Sequence, residues 1–356
     1  MKIFVVGMIC AVLLFGCSKN SIISSDALQS WQFLSTLQTA SGYNTAIAVD
    51  NTGIVYAAYS DDTMGGKITV QKYQNGSWSV VGAKGFSTYS ASNVTLQIVN
   101  GIPYVGYSSG SNGATVEKYD NNAWSVVGSA GFTPGRADNF TMTSEGTTLY
   151  VAFQDSPNAN KLTVMKYDGS WQVVGSNGIS DGIVGGISIT VSGGVIFVGY
   201  SDQFDNNKLT VKQYNGSWTT LTDAGTGSIS SVSLAVNGGV LYAAHNDNDD
   251  SEKAHVIRYV SNAWSNVGTA TGFTSNYTRE LTVRFYNNNP YLAFISDEIG
   301  KGPSVMMFDG SVWSSVGSNI LCEYIASDTD MIISNGSIYV IYAEEDNDYR
   351  ISVKKY

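Results

Sequence analysis

His245 and His255 are the only histidines of this chain, and their types and spacing suggest metal chemistry. The segment between them, NDNDDSEKA (246–254), is rich in Asp. Two imidazoles and a carboxylate can bind zinc, at about 2 Å per ligand. The pattern therefore predicts a zinc site as one hypothesis. The alternative is that two polar rings fill a packing position, and the lack of a fixed third ligand favours it.

A row of acidic residues could bind cations such as calcium, which prefers oxygen ligands. Each acid is followed six residues later by a base, in the pairs Asp61–Lys67, Asp155–Lys161, Asp202–Lys208, Asp247–Lys253 and Glu344–Arg350. In the corresponding segment YSSGSNGATV (107–116), both partners are missing together. Residues that occur or disappear as pairs are typical of ion pairs across a hairpin. We therefore expect structural ion pairs here rather than metal sites.

Motifs of the common catalytic classes are absent from the sequence. It contains no Walker-type phosphate loop, no Gly-x-Ser-x-Gly elbow and no His-Glu-x-x-His. A glycosidase needs two carboxylates that flank a sugar, and a sialidase also needs a cluster of arginines. The arginines do not share one repeat position, and no spacing links them to a pair of carboxylates; they are Arg136, Arg258, Arg279, Arg284 and Arg350. No catalytic residue is predicted, and an enzyme of the glycosidase or lyase type is kept as the second interpretation.

These residues belong to a repeat that spans the chain. KLTVMKYDGSWQVVGSNGIS (161–180) recurs as KITVQKYQNGSWSVVGAKGFS (67–87), ATVEKYDNNAWSVVGSAGFT (114–133), KLTVKQYNGSWTTL (208–221), KAHVIRYVSNAWSNVG (253–268) and, more weakly, PSVMMFDGSVWSSVGS (303–318). All seven tryptophans follow this grid, at Trp31, Trp78, Trp124, Trp171, Trp218, Trp264 and Trp313. A period of this length is typical of solenoids, propellers and arrays.

Apolar residues alternate within each period, which predicts β-strands. A second recurrent string, VYAAY at 55–59 in its first copy, follows a further apolar stretch and a hairpin turn such as Asn100-Gly101. Each period thus holds four strands, named a to d here. If Asp247 faces Lys253 across the b–c hairpin, the antiparallel register places His245 opposite His255.

The two ends of the chain complement each other. The last period ends at RISVKKY (350–356) without a Trp strand, whereas LQSWQFLSTL (28–37) is a Trp strand without the other three. The N-terminal strand is therefore predicted to complete the final blade and close a ring. An open array would need polar caps at both ends.

With this pattern, residues 28–356 resemble the seven-bladed β-propeller proteins of bacterial envelopes. The resemblance implies an all-β ring of four-stranded antiparallel blades. WD40 repeats would carry Gly-His and Trp-Asp signatures, which are missing. YDGSW and YNGSW lie where sialidase-type propellers carry a Ser-x-Asp-x-Gly-x-x-Trp box, but they do not match it.

The first residues predict export and a lipid anchor. MKIFVVGMICAVLLFGC has a Lys at position 2, an apolar run and Cys17 after Leu-Phe-Gly, which resembles a lipoprotein signal peptide (1–16) cleaved before a lipidated Cys17. A membrane-spanning anchor is the alternative, but the run is shorter than the roughly 20 residues that a span needs. Residues 17–27 are expected to form the lipidated Cys and a flexible tether. The protein would then lie in the cell envelope, outside the cytoplasmic membrane.

Composition narrows the possible partners. A formal charge of −10 and a pI near 4.6 disfavour nucleic acid, which binds basic surfaces. After signal cleavage and lipidation, Cys322 is the remaining thiol, so an internal disulfide or a cysteine metal cluster is excluded. No cofactor is expected apart from the zinc or calcium considered above.

The irregular d–a loops are the predicted binding site, because similar blades can form a particular site only from residues that differ. In a propeller these loops meet the b–c loops on one face, around the mouth of the central channel. Tyr and Arg often anchor partners at interfaces. The predicted ligand-binding residues are Tyr43, Tyr89, Arg136, Asp138, Tyr277, Arg279, Glu280 and Tyr324. The alternative is that they are solvated loop residues. We expect a binding module for a protein or a glycan, with an envelope-assembly subunit as a further alternative.

Overall fold

The computed structural model describes residues 30–34, 37, 40–296, 302–317 and 321–356. These residues form seven four-stranded antiparallel sheets arranged in a ring, which is the predicted seven-bladed β-propeller. The predicted signal peptide (1–16) and the predicted lipidated Cys17 with its tether (17–27) lie outside the described residues. Within the described part, no helix is long and apolar enough to cross a membrane.

The strands follow the order a, b, c, d from the channel outward. Blades 1 to 4 consist of β2 (Gly42–Val49), β3 (Val55–Asp61), β4 (Lys67–Gln74) and β5 (Ser77–Val80); β6 (Ser92–Val99), β7 (Ile102–Ser108), β8 (Ala114–Asp120) and β9 (Ala123–Val126); β10 (Ala137–Glu145), β11 (Thr148–Asp155), β12 (Lys161–Tyr167) and β13 (Trp171–Val173); β14 (Val184–Ser192), β15 (Val195–Asp202), β16 (Lys208–Tyr214) and β17 (Trp218–Thr220). Blades 5 and 6 consist of β18 (Val232–Asn237), β19 (Val240–Asp247), β20 (Lys253–Val260) and β21 (Ala263–Asn266); β22 (Thr278–Tyr286), β23 (Asn289–Ser296), β24 (Pro303–Phe308) and β25 (Trp313–Ser315).

Blade 7 is completed by the N-terminal strand, as the chain ends predicted. It consists of β26 (Ala326–Ser334), β27 (Ser337–Glu344) and β28 (Arg350–Lys355), and its outer strand is β1 (Gln32–Phe33). Gln32 pairs with Lys355 and Phe33 with Lys354. The first and the last strand of the described residues therefore lie in one sheet, and β1 pairs along the edge of β28.

The tryptophans join neighbouring blades at their outer edges. Each indole Nε1 donates to a backbone carbonyl of the preceding blade or its outgoing loop, as Trp124 does to Val81 (2.9 Å) and Trp171 to Val127 (2.9 Å). In several blades the loop that leaves the preceding blade stacks a Phe on the indole. Phe132 stacks on Trp171 with ring centroids 3.8 Å apart and an interplanar angle of 5°. We call each of these contacts between blades an outer seam.

The predicted ion pairs of the b–c hairpins are wrong for four of the five acids. Each acid does lie opposite its base in the register, but among the described residues only Glu344 forms the bond, to Arg350 (2.5 Å). Asp61 and Asp202 instead accept from backbone N–H groups of the short 3-10 turn that follows, at 3.0 Å each. These two carboxylates are buried, so the nearest fixed donors satisfy them before a flexible lysine does.

Candidate binding face

Bulges in strand a surround the channel mouth. In six blades one residue of each bulge has a left-handed backbone, at Asn44, Asn93, Asn139, Gly186, Glu280 and Asp328, with φ between 49° and 55°. Asn, Asp and Gly adopt this conformation readily, whereas Glu does so rarely. Strand a begins at the d–a loops, so these residues lie on the face that carries the d–a and b–c loops. We call it the loop face.

The bulge side chains link one blade to the next. Asn44 Oδ1 accepts from Asn93 N (3.0 Å), and Glu280 Oε2 accepts from Thr329 N (2.9 Å). The backbone N–H of Asn44 lowers the pKa of the Asp328 carboxyl group, and Thr45 Oγ1 donates to Asp328 O. These backbone groups would otherwise be unpaired at the inner edge of each sheet. The arc formed by Glu280, Asp328 and Asn44 runs over blades 6, 7 and 1.

Glu280 and Asp328 form an acidic pair within this arc. Burial, followed by the charge of Asp328, raises the pKa of Glu280 to about 7. Burial also raises the pKa of Asp328. Arg279 lies beside them, with Nη1 3.7 Å from Glu280 Oε1 and Nη2 donating to Ala326 O (3.1 Å). The mouth of the channel therefore holds a carboxyl group that can exchange a proton near neutral pH.

The channel below the mouth is a cavity of about 790 Å³. Of the described residues that line it, Arg284 and Asp330 are the charged ones, and their side chains lie 3.4 Å apart. Asp330 Oδ2 also accepts from Ile47 N (3.2 Å). Burial raises the pKa of Asp330, which Arg284 partly offsets. The other described residues of the wall are neutral. The charge of the channel wall is therefore confined to the Arg284–Asp330 ion pair.

A pocket of about 490 Å³ lies on the loop face between blades 1 and 2. Tyr43 forms one side of it, together with Asp62. The charge of Asp62 is the main cause of the raised pKa of Tyr43, and burial adds to it. The rest of the lining is small and polar, with Gly65, Gly66, Ser90, Ala91, Ser92, Ser108 and Gly110. A flat aromatic wall above a small polar floor can hold a ring or an extended chain.

Two further tyrosines lie exposed on the loops of blade 7, on the same face. Tyr349 meets Tyr43 edge to face, with ring centroids 6.3 Å apart at 76°. Next to Tyr324, the backbone N–H of Ile325 donates to the side-chain oxygen Asp346 Oδ1 (2.9 Å), which holds this loop against the b–c loop of blade 7. Tyr43, Tyr324 and Tyr349 are 40%, 41% and 43% exposed. We call these three residues the tyrosine patch.

The other predicted site residues do not form one cluster. Arg136 Nε binds Asp138 Oδ1 (2.7 Å) on blade 3, so these two satisfy each other at the surface. Tyr89 is exposed in the loop before β6, and Tyr277 is half-buried before β22. Sequence reasoning missed Asp328, Tyr349 and Asp62. Aligning the start of strand a in blades 1 to 4, 6 and 7 would have found Asp328, because Asn, Gly, Glu or Asp occurs at the bulge of each.

The two histidines face each other across the b–c hairpin of blade 5, as the register predicted. Their rings stack with centroids 5.4 Å apart and planes within 15°. His255 Nε2 lies 3.1 Å from Asp250 Oδ2. Burial lowers the pKa of His245 to about 3, so its imidazole is neutral. In the described part of the chain, no group of three or more His, Cys, Asp or Glu residues is placed to hold a metal, so zinc or calcium gains no support there.

Comparison with known proteins establishes the fold alone. No protein family matches this chain, and no curated protein does. Among solved structures, the chain is similar to an ulvan lyase (TM-score 0.56, 13% identity, covering 91% of this chain and 94% of that one) and to the lectin of Aleuria aurantia in complex with Fucα1-6GlcNAc (0.51, 13%, 80% and 98%). It is also similar to an α-L-arabinanase of Penicillium chrysogenum complexed with arabinobiose (0.52, 11%, 91% and 95%).

Proposed function

We propose that this propeller is a binding module that holds a protein or glycan ligand on its loop face, in the pocket beside Tyr43. The observation that carries the proposal is the combination of the tyrosine patch with a polar pocket of about 490 Å³. Exposed tyrosines contribute a large contact area at a low cost in side-chain entropy. Serine and Asp62 oxygens in the pocket can bind the hydroxyl or amide groups of such a ligand.

Structural relatives make a glycan the first ligand class to test. A lectin, an arabinanase and an ulvan lyase share this fold, although fold similarity at this identity supports a ligand only by analogy. The acidic arc and Asp62 also favour a ligand that is neutral or basic over one that is anionic.

A glycan array, together with capture of proteins from an envelope extract, tests this function. Replacing Tyr43→Ala and Asp62→Asn together should abolish binding, because both pocket walls lose their contacts. Tyr286→Ala is the matched control, since Tyr286 is similarly exposed (38%) at the end of β22 on the opposite face. A Tyr89, Arg136 and Tyr277 triple-alanine variant measures how far the contact extends along the d–a loops. Unchanged binding by the Tyr43 and Asp62 variant would place the site elsewhere.

The location that we propose is the cell envelope, with a lipid on Cys17 as the anchor. The apolar run that ends at Cys17 supports this, and residues 17–27 would allow the ring to move relative to the membrane. Cys17→Ser should block lipidation and leave an uncleaved precursor. Metabolic labelling with a radioactive fatty acid measures this directly, and equal labelling of both forms would contradict the anchor.

Glycoside or polysaccharide cleavage is the second candidate, because Glu280 and Asp328 lie together at the channel mouth. A carboxyl group with a pKa near 7 beside a second carboxyl group is suited to proton transfer. Glu280→Gln should abolish any cleavage of a bound glycan while leaving binding in the Tyr43 pocket intact. If cleavage persists in this variant, Glu280 has only its structural role of linking blades 6 and 7.

A further inference from the structure

One outer seam of the ring lacks a residue that the other six have. In four loops a Gly, an apolar residue and a Ser or Thr follow each other, at GFS (85–87), GFT (131–133), GIS (178–180) and GFT (272–274). Phe86, Phe132 and Phe273 stack on the indole of the next blade, at 3.8 to 4.2 Å. Ile179, Leu321 and Leu37 belong to the same core clusters as Trp218, Trp31 and Trp78. Six seams therefore have an apolar residue at this position of the loop. Trp264 still packs against the core cluster of Leu221 and Ile229, but it has no residue at that position.

The loop between blades 4 and 5 passes directly from Gly225 to Thr226. Gly225 has φ of 64°, like Gly178 at 62°. Thr226 Oγ1 accepts from Leu209 N, as Ser180 Oγ accepts from Leu162 N. Gly225 and Thr226 therefore occupy the same positions as Gly178 and Ser180, and only the apolar residue between them is missing. What is absent is the side chain that would cover Trp264.

A cavity of about 180 Å³ lies in its place. Trp264 forms one wall, and the bond from its Nε1 to Thr222 O (2.9 Å) is exposed to solvent, whereas the corresponding bonds of the other six indoles are at least partly buried. A cavity of about 150 Å³ can hold a six-membered ring. The space is therefore large enough for one ring lying on the indole.

The far side of this cavity is polar because blade 5 departs from the repeat a second time. His245 and His255 stand where blade 1 has Tyr59 and Thr69. His245 lines the cavity, is 1% exposed, and its Nδ1 has no hydrogen-bond partner. Asp247 also lines it. Each Asp247 oxygen accepts one backbone N–H, from Asp249 and Gly227, and keeps a further lone pair.

We propose that the seam between blades 4 and 5 is a binding site for a neutral sugar ring, which stacks on Trp264 and directs hydroxyl groups to His245 Nδ1 and Asp247. An apolar ring would fill the space but leave His245 Nδ1 unpaired. A hydroxyl both donates and accepts, so it suits either tautomer of a neutral imidazole. Asp247, Asp249 and Asp250 on the adjoining hairpin repel an acidic sugar. This site is separate from the loop-face pocket and does not depend on the function proposed for it.

Saturation-transfer NMR on the full-length chain tests the site with defined probes. The methyl glycosides of glucose, galactose, mannose, fucose and N-acetylglucosamine are each used at about 5 mM, because single-sugar sites often bind in the millimolar range. Glucuronic acid and phenol serve as the anionic and the purely aromatic probes. We expect a signal from at least one neutral glycoside and a weaker one from glucuronic acid. If no neutral glycoside gives a signal, or phenol alone does, the proposal is wrong.

Two variants assign the signal to the seam. Inserting Phe between Gly225 and Thr226 in the Tyr43→Ala background, where the loop face no longer contributes, places a ring on Trp264 and should abolish the signal. His245→Phe, which reproduces the Phe153 of blade 3, keeps the loop unchanged and should weaken binding about tenfold through the lost hydrogen bond. A thermal melt checks that each variant is folded. Binding that is unchanged in both would overturn the proposal.

Two controls separate this site from other causes. Phe132→Gly uncovers Trp171 in a seam without histidines, so a new signal there as strong as that of the natural seam would mean that a bare indole suffices and would contradict the roles of His245 and Asp247. Tyr43→Ala should leave the seam signal unchanged. If Tyr43→Ala removes it, the sugar is bound on the loop face and the seam proposal fails while the loop-face function stands.

Discussion

Blades 1 to 3 and blades 5 to 7 have the same strands but differ in what they place at the two conserved positions of the repeat. At the bulge, blades 1 to 3 each carry Asn, whereas blades 6 and 7 carry Glu280 and Asp328 and blade 5 has no register shift in strand a. At the outer seam, the indoles of blades 2 and 3 are covered by Phe, whereas Trp264 of blade 5 is not. Blades 1 to 3, called the regular half here, therefore show which residues at the bulge and at the outer seam are sufficient for the fold.

The departures of the second half reduce stability in ways that the regular half avoids. An uncovered indole loses packing contacts, and two adjacent buried carboxyl groups repel each other when ionised. Neither feature is needed to close the ring, because blades 1 to 3 do without them. Positions that give up stability in this way are candidates for function, and both coincide with a cavity or with the channel mouth.

The largest effect is expected from deleting residues 28–37. The deletion disrupts two outer seams, the one between blades 6 and 7 and the one between blades 7 and 1. The deletion removes β1, the Trp31 indole and the buried Leu34 and Leu37 that pack near Trp78. Burying each such Leu contributes about 2 kcal/mol, and the uncovered edge of β28 invites aggregation. Calorimetry and light scattering should record a lower Tm and larger species. A monomer that melts at the wild-type temperature would contradict closure by this strand.

Phe132→Gly converts the seam between blades 2 and 3 into a copy of the uncovered one. The side chain stacks on Trp171 but is only partly buried, so we expect a loss of about 2–3 kcal/mol, below the full range for a buried Phe. Urea unfolding followed by fluorescence measures it. Val126→Gly, in the exposed part of β9, is the control for a general effect of Gly. A loss no larger than that of the control would mean that the covering ring does not stabilise this seam.

Glu280→Gln makes the bulge of blade 6 neutral, as in blades 1 to 3. Since the folded pKa of Glu280 is raised to about 7, its contribution to stability is complete below about pH 4.5 and is lost as the pH rises through 7. In the variant, the loss of unfolding free energy between pH 4 and 8 should be smaller by about 1–2 kcal/mol. A smaller loss should remain, because the pKa of Asp328 is also raised. Urea midpoints between pH 4 and 8 measure it, with the exposed Glu323→Gln as control. An equal slope in wild type and Glu280→Gln would contradict the raised pKa.

Inserting Phe between Gly225 and Thr226 has the smallest expected effect and the opposite sign. It makes the seam between blades 4 and 5 resemble the regular ones, and filling a partly open cavity should stabilise the ring by about 1 kcal/mol. A thermal melt measures the change. A destabilised ring would mean that His245 and His255 already close the space that Phe would enter.

The ring itself could be predicted because each of its elements is local. The Trp grid, the alternation and the complementary ends fixed the blade number and the closing strand, and hairpin register placed His245 opposite His255. Register, however, determines only which backbones are opposite each other. It did not reveal that Asp61 accepts from Thr63 N instead of pairing with Lys67, because the choice between partners depends on burial and side-chain direction.

The candidate sites could not be predicted in the same way, because each is formed by residues of neighbouring blades. Sequence alone determined the strands, the repeat and the loop in which Tyr324 lies, whereas Tyr43 and Glu280, which were predicted in the d–a loops, lie at the start of strand a. Only the tertiary structure decided that Tyr43 meets Tyr349, that Glu280 meets Asp328 and that the missing residue after Gly225 uncovers Trp264. The physical reason is that contacts within a hairpin follow from spacing along the chain, whereas contacts between blades depend on how the closed ring brings separate sheets together.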